Sequence, residues 1–196
     1  TSDFFSVHAL DYGASALNNL GVQALNDRKL DIAETAFKRS LLFQPRLDQG
    51  WNNWGNVLYQ KKDYERSAAC YRIALAAKES PNYRYNLGRA LMAGGHKEQA
   101  EKEMTTASAA ADIPDAVNDL GLLWLERGEA QRAADAFEGI LRVRGGYLPA
   151  AFNLGLARAK LGQKEGAIEA FKAFSDAAKD PADKADAEAW LRKLQK

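Results

Sequence analysis

The chain has one cysteine, two histidines and almost no net charge, and each scarcity removes a class of function. A lone thiol cannot form an internal disulfide, and Cys70 lies in an apolar helical stretch where a small buried side chain is the ordinary role. His8 and His96 are far apart, and no H-x3-H, C-x2-C or H-E-x2-H spacing surrounds them, so the sequence offers no metal site. Lysine plus arginine number 27 against 26 aspartates plus glutamates, so no basic field exists to draw nucleic acid or an anionic membrane. No apolar run reaches the roughly 18 residues of a membrane-spanning helix, and no basic segment followed by an apolar one opens the chain. The expectation is a soluble domain, cytoplasmic or periplasmic. It begins at Thr1, which reads as a processed mature form or a domain excised from a longer protein, and an upstream signal or anchor stays open.

Catalytic constellations are equally scarce. Gly94-Gly95-His96-Lys97 lacks the G-x4-G-K-S/T spacing of a phosphate loop and reads as turn chemistry. Carboxylate pairs such as Glu101 and Glu103 stand two residues apart, on different sides of a helix. No nucleophile, base and oxyanion donor come together in the sequence, so the expectation is a chain that is not an enzyme and carries no cofactor.

What the chain does have is a period. Gly21, Gly55, Gly88, Gly121 and Gly155 recur at steps of 34, 33, 33 and 34 residues, each followed at a fixed distance by Ala33, Ser67, Ala100, Ala133 or Ala167. Five copies of one unit imply a stacked array in which neighbours bury each other's apolar faces. Within each copy, apolar residues recur at helical spacing in two segments of about 14 residues, for example Trp51, Trp54 and Leu58, then Tyr64, Ala68, Tyr71 and Leu75. Each copy is therefore a helical hairpin. The break between its helices holds Gly94-Gly95, Gly128 or Gly162 in three copies and Arg28 or Lys62 in the other two. Ser80-Pro81, Asp112-Ile113-Pro114 and Asp180-Pro181 read as helix starts with a capping side chain and a proline in the first turn. A glycine inside a helix costs about 1 kcal/mol relative to alanine, so the periodic glycines need another reason, namely close approach of the second helix.

The residues Trp51-x2-Trp54-Gly55-x2-Leu58 and Leu120-Gly121-x2-Trp124, with Ala33-x3-Phe37, Ala133-x3-Phe137, Ala167-x3-Phe171 and Pro45, resemble the tetratricopeptide repeat pattern W-x2-L-G-x2-Y, A-x3-F, P. The resemblance spans residues 14–180 in register, as 14–47, 48–80, 81–113, 114–147 and 148–180. It implies an all-α fold, a right-handed α-solenoid superhelix whose first helices line a concave face. Residues 181–196 place Ala187, Trp190, Leu191 and Leu194 opposite Lys184, Asp186, Glu188, Arg192 and Lys193, the pattern of a capping helix. The lead-in of residues 1–13 is apolar, and Phe4 and Phe5 are expected to dock on the first repeat, with a neighbouring chain or a missing upstream domain as the alternative. About twelve helices are expected in all, counting the cap and a short lead-in.

One position recurs without a packing reason. Two residues before each periodic glycine stand Asn19, Asn53, Asn86, Asp119 and Asn153, although asparagine is a poor helix former. Each carboxamide offers two donors and an acceptor, enough to pair with the backbone of an extended peptide. First helices about 10 Å apart would meet such a chain about every third residue. The arrangement looks like the asparagine ladder of O-linked N-acetylglucosamine transferases, carried here to Asn19, Asn53, Asn86 and Asn153, with Asp119 interrupting it. Asparagines inherited by duplication, or satisfying neighbouring side chains, are the alternative. Free amides of this kind would contribute little to stability. Around them the face is expected to present Asn52, Asn56, Tyr59, Tyr85, Arg89, Met92, Asn118, Leu122 and Phe152, with Tyr85, Arg89 and Phe152 as anchors. The lysines and arginine that clamp chaperone C-terminal carboxylates are absent, since Asn18, Val22, Asn53, Asn82 and Asn86 occupy one register and Asn52, Asn56, Asn86, Asp115 and Asp119 the next. The chain thus reads as a non-catalytic interaction module for an extended peptide or a partner's helix, an adaptor or assembly scaffold, with self-association left open. The alternatives are the substrate-recruiting part of a larger enzyme such as a glycosyltransferase, or a bacterial pilus or secretion assembly factor.

Overall fold

The computed structural model describes residues 2–195, with side chains from residue 13 onward. The expected docking of Phe4 and Phe5 therefore lies outside the described residues. Among those described there are eleven helices and no strand: α1 (Ser2–Asn26), α2 (Leu30–Phe43), α3 (Asp48–Gln60), α4 (Tyr64–Ala77), α5 (Pro81–Ala93), α6 (Lys97–Ala110), α7 (Pro114–Glu126), α8 (Ala130–Val143), α9 (Leu148–Lys160), α10 (Lys164–Ala177) and α11 (Pro181–Leu194). The expected separate lead-in helix is instead the first half of α1, which continues unbroken into the first repeat. The helices divide between two compact units, Thr1–Ala111 with α1 to α6 and Asp112–Lys196 with α7 to α11. Inside each unit consecutive helices pack as antiparallel hairpins, and the first helices α1, α3 and α5, or α7 and α9, also touch one another.

The hairpin turns repeat one backbone solution. Gly95, Gly128 and Gly162 have φ of +88°, +83° and +74°, the left-handed conformation that ends a helix and that glycine adopts without a Cβ clash. Arg28 and Lys62 take the same conformation at φ +59° and +63° in the first two repeats, at the cost that a side chain imposes there. The helix starts agree with the sequence only in part. Pro81, Pro114 and Pro181 occupy the first turns of α5, α7 and α11, and Asp180 caps α11 by accepting from the Ala182 N–H at 2.9 Å. Ser80 makes no capping bond, Ile113 holds the cap position of α7, and Asp112 turns away to accept from Arg144 at 2.8 Å.

The periodic glycines do admit the second helix. A Cβ placed on Gly21, Gly55, Gly88, Gly121 or Gly155 would come within 2.5–2.7 Å of Phe37, Tyr71, Met104, Phe137 or Phe171 respectively, each of them sixteen residues further on. These five side chains are almost wholly buried. The small residues Ala33, Ser67, Ala100, Ala133 and Ala167 are fully buried beside them, and the Ser67 hydroxyl donates to the Gly55 carbonyl at 2.8 Å. In the first unit the core joins repeats through Ala24, Phe37 and Val57, then through Tyr71, Leu87 and Leu91. In the second, Phe171, Phe174 and Ala187 form a cluster that Trp190, Leu191 and Leu194 of α11 cover, which is the capping role read from the sequence.

Gly121 and Gly139 separate the two roles of a helical glycine. Replacing Gly121 by alanine should cost about 1–3 kcal/mol net, because overpacking against the Phe137 ring outweighs the gain in helix propensity. Gly139, inside α8, would bring its Cβ within 4 Å of nothing, so Gly139→Ala should stabilise by about 0.5–1 kcal/mol. Urea denaturation of the two variants checks this, and equal shifts of the same sign would remove the close-approach explanation.

Candidate functional site

The first helices carry an amide network. Because the hairpins repeat every 33 or 34 residues, the side chain two before one glycine lies beside the side chain three before the previous glycine. Asn53 donates to Asn18 Oδ1 at 3.2 Å, Asn86 donates to Asn52 Oδ1 at 2.9 Å, and Asn153 donates to Asn118 Oδ1 at 2.9 Å. A further contact, Asn52 Nδ2 to Asn53 Oδ1 at 3.4 Å, links the first two pairs. In the first unit one chain of carboxamides therefore runs from Asn86 through Asn52 and Asn53 to Asn18, across three repeats. Asn18, Asn118 and Asn153 are buried, at 8%, 7% and 8% exposure, while Asn52, Asn53 and Asn86 are half-buried and Asn19 is exposed. Each link uses one N–H and one oxygen lone pair of groups that have two of each.

The surrounding residues fall into different roles. The Arg89 guanidinium lies 4.8 Å from the Tyr59 ring centroid and 5.7 Å from that of Tyr85, a cation held against two aromatic faces beside the amide chain. Tyr59 also meets Tyr64 edge-on at 5.4 Å, and Met92 packs against the core below it. Asn56 is committed within its hairpin, its Oδ1 accepting from the Tyr71 hydroxyl at 2.7 Å. Phe152 is edge-on to Phe171 at 5.3 Å and to Phe174 at 5.1 Å, so its ring is part of the core as well as of a groove it lines with Asn118, Asn153 and Leu122. Asp119 is half-buried on α7 and already engaged. Thus Asn18, Asn52, Asn53, Asn86, Tyr59, Tyr85 and Arg89 gather on the first unit, Asn118, Asn153 and Phe152 on the second, and Asn19 stands apart from the described pairs. The role of Asn18 and the pairing rule went unread, although asparagine at two adjacent positions of alternate helices was its signal.

The electrostatics link neighbouring repeats. Burial works against an ionised Glu34, but hydrogen bonds and charge from Lys38 at 2.5 Å and Lys61 at 2.6 Å overcome it and hold the carboxyl at about 2. Lys61, on the neighbouring repeat, also reaches Asp31 at 2.6 Å. Burial pushes the Cys70 thiol up to about 12, which leaves it protonated and unreactive at neutral pH. Burial, and then the hydrogen bond to Asp48, raises Tyr83 to about 12, and the Tyr147 hydroxyl, donating to Asp115, is displaced upward in the same way. Among the described residues no three histidine, cysteine or carboxylate side chains are grouped to hold a metal, and no helix is long and apolar enough to cross a membrane.

A tetratricopeptide repeat profile matches residues 52–101 and 85–149, and a second matches residues 148–181. The chain belongs to the tetratricopeptide repeat family. A repeat-containing thioredoxin of Arabidopsis thaliana, TTL4, is 38% identical over 81 residues, which are 40% of this chain and 12% of that protein. Among solved structures, the fold is similar to pilF of Pseudomonas aeruginosa, with TM-score 0.79 at 18% identity, covering 95% of this chain and 90% of the other. It is also similar to YrrB, described as a tetratricopeptide repeat protein with an unusual peptide-binding site, with TM-score 0.70 at 20% identity and coverage of 88% and 90%. In this tetratricopeptide repeat chain Asn53, Asn86 and Asn153 of the ladder position are each tied to an asparagine of the preceding repeat, Asn18, Asn52 and Asn118, and of the two readings the sequence left this is the one in which the amides satisfy neighbouring side chains.

Two measurements follow from the network. Asn53→Ala/Asn86→Ala should lower stability by about 1–2 kcal/mol, because two inter-repeat hydrogen bonds are lost and only a few tenths return through helix propensity. An unchanged melting temperature would return the amides to a purely external role. Glu34, with its folded pKa depressed from the ordinary 4.5 to about 2, contributes stability that is fully present above about pH 4.5 and is lost as the pH falls toward 2. The melting temperature of Glu34→Gln should therefore fall less steeply than wild type across that window, and parallel curves would contradict the ion network.

Proposed function

We propose that the chain is a non-catalytic protein-interaction module that holds an extended peptide against its first helices, acting as an adaptor or assembly scaffold. The observation that carries this reading is the carboxamide chain Asn86–Asn52–Asn53–Asn18. Hydrogen bonding among the amides fixes their rotamers, so the second N–H and second lone pair of each are held in place before a ligand arrives. A preorganised donor and acceptor lose less entropy on binding than mobile ones. Asn53 and Asn86 occupy the same position of successive first helices, which helix packing sets about 10 Å apart, a spacing that matches about three residues of extended backbone. Arg89, held between Tyr59 and Tyr85, sets a planar cation beside that track for an acidic or aromatic ligand side chain. The family membership and the peptide-binding site named for YrrB agree with this reading.

Because the asparagines also stabilise the fold, the cleaner test alters the ligand. A dodecapeptide selected on the full chain from a displayed random library would be resynthesised with single N-methyl groups along its backbone. Each methyl removes one N–H without touching the protein. Affinity should fall about five- to tenfold at positions three residues apart, the worth of one hydrogen bond, and little between them. A flat N-methyl profile would overturn the backbone grip.

A further inference from the structure

The second unit has two adjoining grooves that share Leu122, and α11 walls both of them. The larger, about 620 Å³, is floored by Leu122, Leu125, Leu156, Trp190 and Leu194. Its rim carries Glu126, Lys160 and Lys193. Lys160 is fixed by donating to the Leu125 carbonyl at 2.9 Å, and the Lys193 ammonium lies 4.4 Å over the Trp190 ring. The smaller groove, about 350 Å³, sets Asp183 and Asp186 of α11 opposite the Asn118–Asn153 pair.

The charges that α11 turns into the two grooves therefore differ in sign. The first half of the helix gives two carboxylates to one groove, and its last turn gives a lysine to the other, with Lys160 nearby. At 1.5 Å per residue, Lys193 lies about 10 Å along the helix from Asp186 and about 15 Å from Asp183. An extended chain covers that span in three to four residues. We propose that this double groove docks an extended segment of a partner protein that carries a basic residue, three large apolar residues and an acidic residue in succession. The basic end meets Asp183 and Asp186, the central apolar side chain, on the same face of the extended segment, fills the floor around Leu122 and Leu156, the two flanking apolar side chains lie toward the groove walls, and the acidic end meets Lys160 and Lys193. This rests on the reading that first helices hold peptides, and it names the ligand's chemistry in the second unit. The same charges also complement the dipole of α11, a purely local role that predicts no ligand preference.

Titration calorimetry on the full chain with three acetylated, amidated peptides, GKLFLEG, GKLFLKG and GELFLEG, separates the two. GKLFLEG should bind about two- to fivefold more tightly than either like-charged peptide, the size of one exposed ion pair, and the difference should shrink in high salt. Lys193→Glu should shift preference toward GKLFLKG, and Asp186→Lys toward GELFLEG. Both positions are exposed, so these variants keep the fold. Leu156→Glu, in the groove floor, should weaken all three peptides more than tenfold. Equal binding of the three peptides, no binding at all, or an order unmoved by the charge reversals would overturn the proposal. A lost ranking together with an intact N-methyl pattern would leave the backbone grip standing, whereas a flat N-methyl profile with this ranking intact would leave the charge-matched groove standing.

Discussion

The contact between a helix glycine and the ring or thioether sixteen residues later is the constraint on which the fold depends. Phe37, Tyr71, Met104, Phe137 and Phe171 each lie where a Cβ would have been, so the two helices of a hairpin meet at a distance no other residue permits. The approach is stabilised by complete burial of five large side chains, each contributing about 1.5–3 kcal/mol. It also fixes the rotation of each first helix about its axis. With the glycine facing the second helix, the residues two and three positions earlier are turned toward the neighbouring first helix, and the asparagines meet there.

Structure and the proposed recognition consequently share atoms in this protein. The amide chain of the first unit joins three repeats, as the Lys61 bridge to Asp31 and Glu34 joins two, and it stands on the face proposed to hold a peptide. Hydrogen bonds among the amides restrict their rotamers. The second unit differs: its amide pair is more buried, and apolar floor and α11 charges make up more of its surface. One repeat pattern thus supports two chemically distinct stretches, with hydrogen bonding prominent in one and apolar and charged contacts prominent in the other.

Much of the architecture was legible in the chain itself. The glycine period, the hairpin breaks and the amphipathic pattern of the last segment are local signals, and each acts within one turn or one helix, so the five hairpins and the capping role of α11 could be read directly, whereas the expected count of about twelve helices is eleven among the described residues. Even the left-handed turns at Arg28 and Lys62 were placed by register with their glycine counterparts. The local signals failed where a side chain had a better distant partner. Asp112 had the sequence of a cap but pairs with Arg144, and the lead-in, read as a separate segment, simply prolongs α1.

What only packing decided is which neighbour each asparagine meets. Composition and spacing located Asn53, Asn86 and Asn153, but whether their amides point to a ligand or to one another depends on the offset between adjacent first helices. A shift of a few ångströms there would separate the pairs. The grooves beside α11 were hidden for the same reason. Trp190 and Leu194 read as cap residues facing the core, and they are, but a tryptophan stacked 5.7 Å from Phe171 has an edge left over, and only the placement of α7 and α9 beside it turns that edge into the wall of a groove. Periodicity acts along the chain and is visible in sequence, whereas grooves and amide pairs arise between segments more than thirty residues apart, where only tertiary contact sets the distance.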